Sequence, residues 1–281
     1  MENKYIKRII DNDLTTWAAD FDRMPLLLRG ARQVGKSSSV RNLSCHFENF
    51  VEINFEKNKK ARKAFEGDLI PEEICNNLSY LLGKDIIAGK TLLFFDEIQA
   101  CPAAIESLRF FYEDYPELHL IAAGSLLEFA LAELNSFGVG RIQSLFMYPF
   151  SFNEFLHSLD EDRLIELIDE QTENKPIFDP VHQKLLQYLK IFLITGGMPK
   201  VIATYQATKD LLKCGNVLSQ LLNSLKTDFA KYRKRVPELR LTNVFNSVAN
   251  QMGKKFVYAM LSHNYTIGCA RRATVMPRWI I

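Results

Sequence analysis

Gly30-Ala31-Arg32-Gln33-Val34-Gly35-Lys36-Ser37 has the spacing G-x-x-x-x-G-K-S, and each fixed residue type answers a need of phosphate binding. Glycine at 30 and 35 admits backbone conformations closed to a residue with a Cβ, so successive N–H groups can turn inward around a phosphate. A helix opening at Lys36 would add its positive end. Lys36 would reach the β- and γ-phosphates of a nucleoside triphosphate, and the Ser37 hydroxyl would ligate Mg²⁺. Ala31, Arg32, Gln33, Val34 and Ser38 complete the nucleotide-binding set, with Arg32 also able to point away to solvent. A glycine turn matches this pattern by chance in roughly one chain per hundred of this length, given ordinary glycine usage. A second motif therefore has to decide.

That motif is Thr91-Leu92-Leu93-Phe94-Phe95-Asp96-Glu97-Ile98-Gln99, an uncharged, mostly apolar run that ends in two carboxylates. It predicts a buried central strand with an acidic carboxyl-terminal tip, where open α/β sheets bind their ligands. Asp96 would hold Mg²⁺ through water, and Glu97 would orient and polarise the attacking water. Taken alone, the pair could be an exposed acidic turn. Order and distance from the glycine loop point to a triphosphate hydrolase. Two further candidates are weaker. Ser125 follows the apolar run His119–Ala123 and could contact the γ-phosphate or cap the next helix. Arg141 follows Gly138-Val139-Gly140 and could stabilise phosphoryl charge, within the chain or across a subunit boundary, or simply form a salt bridge.

The elements that position these residues alternate between strand and helix. Tyr5 to Trp17 carries apolar residues near helical spacing, which predicts an amphipathic helix over 4–20. Strands are expected at 25–29, 50–55, 91–95, 119–123 and 142–147. Helices are expected at 36–46, at 70–82 with Pro71 in its first turn and Gly83 past its end, and at 103–112. The charged run Lys57–Lys63 predicts an exposed helix or loop. Ser151 and Glu154 form S-x-x-E, a capping box that opens a helix through His157. Beyond it the pattern is helical: 160–170, 181–195, 199–205, 210–232 and 238–252. Gln171–Pro180 reads as a linker. Gly196-Gly197-Met198-Pro199 reads as a break between helices or as a second phosphate nest.

Composition excludes several classes. Among 281 residues, 47% are hydrophobic and 24% charged, as in an ordinary globular protein. No apolar run approaches the ~20 residues that cross a bilayer, and the amino terminus lacks a signal-peptide core. Five cysteines without a C-x-x-C pair indicate neither zinc nor a disulfide framework, and a cytoplasmic setting is expected. The net charge of +2 hides an asymmetry: residues 226–281 hold 11 Lys and Arg against 2 Asp and Glu. This basic stretch could bind duplex DNA or be a solvated surface facing acidic partners.

As a set, Arg29–Ser37, Leu93–Gln99, Ala123-Gly124-Ser125, Gly140-Arg141, Met147–Phe155 and Gly196-Gly197-Met198-Pro199 resemble bacterial and archaeal ATP-binding proteins of the AAA superfamily that carry a C-terminal domain of unknown function. The resemblance implies an α/β fold: a P-loop NTPase parallel sheet flanked by helices, then a helical lid and a partial winged-helix segment. It places the ATPase core at 1–157, the lid at 158–235 and the partial winged-helix segment at 236–281. It also implies ATP, since no motif reads the base, together with Mg²⁺ and a homo-oligomer in which Arg141 could complete a neighbour's site. Relatives continue further, so Val275–Ile281, with Pro277 interrupting a helix, reads as the end of a truncated chain. The expected function is Mg²⁺-dependent ATP hydrolysis. The alternative is a nucleotide-gated switch or DNA-binding regulator with little turnover. A small-molecule kinase would need a substrate pocket that the sequence does not supply.

Overall fold

The computed structural model describes residues 5–124, 127, 140–171, 176–229 and 238–251. Two compact units divide the chain, Met1–Lys209 and Asp210–Ile281.

The first unit is built on five parallel strands: β1 (Leu26–Arg29), β2 (Asn49–Asn54), β3 (Thr91–Asp96), β4 (His119–Ala123) and β5 (Gln143–Phe146). They lie in the order β2-β3-β4-β1-β5. Strand β4 thus separates the two motif-bearing strands, pairing Leu26 with Ile121 on one side and Phe95 with Ala122 on the other. Beside them, Asn54 is level with Asp96.

Alternation along the strands divides the apolar residues between two faces. One face presents Leu27, Val51, Ile53, Leu93, Phe95, Leu120 and Ala122. Helices α3 (Pro71–Leu82) and α4 (Pro102–Asp114) cover it through Ile74, Leu78, Ile105, Leu108 and Phe111. The other face presents Leu26, Leu28, Leu92, Phe94 and Ile121, covered by α1 (Ile10–Ala19) and α2 (Lys36–Leu43) through Leu14, Trp17, Val40 and Leu43. Strands buried on both faces explain why 26–28 and 92–95 read as continuous apolar runs.

Local signals fix most helix ends. Pro71 stands in the first turn of α3, and Gly83 ends it in the left-handed region, φ 62°. The capping box at Ser151 and Glu154 opens α5 (Phe152–Ser158). Helices α6 (Asp162–Asp169) and α7 (Asp179–Thr195) then close a small apolar cluster of Leu156, Leu164 and Leu185. Helix α8 (Pro199–Thr208) completes this unit.

One expectation changes, and another gains detail. The first helix starts at Ile10 rather than near residue 4, because Tyr5 and Arg8 make contacts outside it (described below). The charged run 57–63 is helical from Lys59 with its lysines exposed, as expected: Lys57, Lys59, Lys60 and Lys63 all face solvent. Lys59–Phe65 forms 3-10 turns that bury Ala61 and Phe65, with the Asn58 side chain accepting from the Ala61 N–H.

In the second unit, helices Leu211–Phe229 and Glu238–Asn250 are described. Most of the basic stretch, including Pro277, lies outside the described residues. No helix among the described residues is long and apolar enough to cross a membrane.

Candidate functional site

The loop between β1 and α2 is shaped by what its neighbours leave no room for. Gly30 sits at φ 143°, and a Cβ there would lie 2.2 Å from the Met147 carbonyl oxygen. Gly35 precedes α2 at φ 105°, a left-handed conformation that favours glycine. No side chain caps α2. Its first N–H groups are therefore left without a side-chain acceptor, the arrangement that receives an anion. Gln33 is also left-handed, φ 64°. Val34 is buried and anchors the loop in the core.

Lys36 is buried, and its ammonium donates to the carbonyl oxygens of Gly30 at 2.8 Å and Ala31 at 2.9 Å. Burial pulls its pKa down to about 8, against the upward pull of Glu97 and Asp96, with Arg32 adding to the drop. The Ser37 hydroxyl donates to Asp96 Oδ1 at 3.2 Å. The second Asp96 oxygen accepts from the Asn54 amide at 2.9 Å. Glu97 is held at φ 50°, uncommon for a residue with a side chain. Its carboxylate accepts a hydrogen bond from the Gln99 amide. That bond fixes which way the Gln99 amide faces, because a carboxylate only accepts. Gln99 Oε1 is left buried with no partner among the described residues. It lies where a Cβ on Gly124 would be, 2.2 Å away.

Several of these groups surround one cavity of about 300 Å³. Its walls include Arg32, Gln33, Gly35, Lys36, Ser37 and Ser38 of the loop, Asp96 and Glu97 of the strand tip, and Gly124 at the end of β4. Pro199 and Lys200, the first residues of α8, form the remaining wall. The loop and the acidic tip thus meet as their spacing predicts.

Arg141 is not brought to this cavity. It precedes Gln143, which lies level with Leu26 at the start of β1, whereas the phosphate loop follows the other end of that strand. There it pairs with Glu113 at the end of α4 and is half exposed. Its in-chain role in this structure is that ion pair. Ser125 lies outside the described residues.

Four contributors were not singled out as site residues from the sequence: Asn54, Gln99, Lys200 and Arg8. Asn54 could have been found from strand pairing, since a residue ending β2 must stand beside the tip of β3. Gln99 sits within the acidic motif itself. Lys200 follows the Gly-Gly-Met-Pro break, whose proximity to the loop no local signal reveals. Arg8 lies in an amphipathic stretch that reads as solvent-facing, yet it is 5% exposed.

A family model described as an AAA domain matches residues 22–156. A second, described as a domain of unknown function (DUF8612), matches residues 186–277. Among solved structures, the Walker-type ATPase PABY2304 of Pyrococcus abyssi is similar over 93% of this chain and 84% of its own, with 16% identity and a TM-score of 0.54. PCH-2 of C. elegans is similar over 79% of this chain and 70% of its own, with 16% identity and a TM-score of 0.41. No curated protein matches the chain.

Proposed function

We propose that this chain, which belongs to the AAA superfamily of P-loop ATPases, binds ATP in the cavity at Gly30–Ser38 and hydrolyses it with Mg²⁺. The observation that carries the reading is the meeting of Lys36, Ser37, Asp96 and Glu97 around one cavity. In it, Lys36 and the loop N–H groups hold the β- and γ-phosphates. Ser37 and Asp96 fit a hard cation, being oxygen donors already within hydrogen-bond distance of each other. When bound, Mg²⁺ would neutralise charge developing on the phosphate oxygens. Glu97 takes the role of the group that orients and polarises water. Helix α8 supplies the lid-side wall of the site, a role supported by Pro199 and Lys200 in the cavity wall. Arg141, paired here with Glu113, is left a role only toward a neighbouring subunit.

The test is phosphate release from ATP and Mg²⁺ by the purified full chain, beside Lys36→Ala and Glu97→Gln. Turnover abolished in Lys36→Ala, and lowered with binding kept in Glu97→Gln, supports the reading. Equal turnover in all three proteins would remove this cavity from the chemistry.

A second reading, a nucleotide-gated switch with little turnover, is favoured by one observation. The Gln99 amide holds the carboxylate that would have to meet water. Tight ATP binding without turnover would select it, and adding duplex DNA to the same assay tests whether the basic 226–281 stretch couples to the site.

A further inference from the structure

The first segment of the chain reaches the phosphate loop by an unusual route. Arg8 and Glu154 form an ion pair with Nε to Oε1 at 2.9 Å, and both residues are more than nine-tenths buried. Their hydrogen bonds extend well beyond each other. Arg8 Nη1 donates to the carbonyl of Val34, inside the phosphate loop, at 3.0 Å. Arg8 Nη2 donates to the carbonyl of Tyr148 at 2.8 Å. The guanidinium lies over the Phe150 ring, 4.0 Å from its centre. Glu154 accepts from the N–H groups of Ile9 and Ser151, each at 2.8 Å. Every face of both charges is therefore engaged.

The contacts continue to the opposite wall of the cavity. The Phe150 N–H donates to the Gly197 carbonyl at 2.7 Å. Gly197 packs so closely on Phe150 that a Cβ would lie 2.2 Å from the Phe150 carbonyl oxygen. Two residues later, Pro199 and Lys200 line the cavity. Farther up the first segment, the Tyr5 hydroxyl donates to Asp11 Oδ1 at 2.7 Å and lies 2.9 Å from Ser39 Oγ of α2.

We propose that Arg8 is a positioning residue: through Val34 on one side and Tyr148, Phe150 and Gly197 on the other, it fixes the phosphate loop and the Gly197–Lys200 turn in one geometry across the nucleotide cavity. This rests on the reading of that cavity as the ATP site. A guanidinium suits the task because its planar fork holds several acceptors at fixed angles, which an ammonium cannot do. The proposal also gives the Gly-Gly-Met-Pro motif a job. Gly197 allows the turn to touch Phe150, so that the lid-side wall inherits its position from the same arginine.

The experiment compares the full chain with Arg8→Lys and Glu154→Gln by amide hydrogen exchange without nucleotide, and then by affinity for a non-hydrolysable ATP analogue. The expected result is faster exchange, by about tenfold or more, at two separate patches, residues 30–38 and residues 198–202, with β3 and β4 unchanged. Affinity for the analogue falls by about tenfold, in proportion to the loss of a preorganised loop. A folded Arg8→Lys protein whose two patches exchange as in the wild type would overturn the proposal, as would loosening of the phosphate loop alone. If Arg8→Lys does not fold, Phe150→Leu, which keeps both charges and removes only the ring beneath the guanidinium, is read by the same two patches. A wild-type protein with no affinity for the analogue would instead strike the ATP reading, and the exchange result stands apart from it.

Discussion

Raising the pH from 7 to 9 should weaken binding of a non-hydrolysable ATP analogue by about tenfold, through Lys36 alone. Burial sets the pKa of this ammonium at about 8 in the free protein. At pH 7 roughly nine in ten molecules therefore carry the proton, and at pH 9 roughly one in ten, from one pKa unit on either side. Phosphate oxygens beside the ammonium favour the charged form, so the complex keeps the proton to higher pH. Binding above pH 8 must then take a proton up, and the tenfold loss corresponds to about 1.4 kcal/mol. The terminal phosphate titrates near ~6, below this window. The assay is isothermal titration in buffers of different ionisation heat, which returns both the affinity and the protons taken up: about half a proton at pH 8. Lys36→Arg, always charged in this range, should bind with a flat profile. Constant wild-type affinity between pH 7 and 9, or release rather than uptake of protons, would refute the reasoning that burial holds Lys36 near 8 and that phosphate binding charges it.

Glu97→Gln should keep analogue affinity within about twofold and lower turnover by 10²-fold or more, the scale of a positioned general base, measured as phosphate release. Gly30→Ala should lower stability by about 2–4 kcal/mol, because the new methyl meets backbone rather than a movable side chain, and thermal unfolding reads the loss. Removing one partner of the buried pair, as in Arg8→Met, should cost about 3–5 kcal/mol in urea unfolding, well beyond the effect of a surface charge. Acid should act on the same pair. Burial alone would raise the Glu154 pKa, but hydrogen bonds from Arg8, Ser151 and Ile9 outweigh it and hold the carboxyl below its ordinary value. Its stabilisation is therefore complete above the ordinary glutamate value of ~4.3 and lost as pH falls through the lower folded value. In Glu154→Gln, unfolding midpoints should lose part of their acid dependence in that window.

What could be read before the fold was known was what short spacing encodes. Glycine at 30 and 35, the apolar run into Asp96-Glu97, the Pro71 start and Gly83 stop of α3, and the Ser151–Glu154 capping box are all local devices. Each survives in the structure because the backbone need that it answers is local. The contacts that were not legible join distant residues. Arg8 and Glu154 are 146 positions apart, and Glu154 was fully explained by its cap without an ion partner. Lys200 lines the cavity just past a turn in which Gly197 rests on Phe150. Arg141 shows the reverse: its residue type and glycine setting suited catalysis, but the direction of β5 carries it to the far end of the sheet, where Glu113 is the available partner.

The charged groups of the site are partnered within the chain, and this bears on whether the protein turns ATP over or holds it. Lys36 spends its donors on the loop's own carbonyls, Ser37 bonds to Asp96, and Glu97 accepts from Gln99. Phosphate and Mg²⁺ can replace the first two contacts with stronger, charge-assisted ones, so binding itself removes them. The third differs. Gln99 is not among the residues that line the cavity, so Glu97 must meet water while still accepting from Gln99 or after Gln99 moves. The unpartnered Gln99 Oε1 and the absence of a Cβ at Gly124 place that choice at the tip of β4. Gly124→Ala would displace Gln99 without touching the phosphate loop. On the proposed reading, ATPase and switch diverge at the Gln99 amide, and the rest of the cavity serves both.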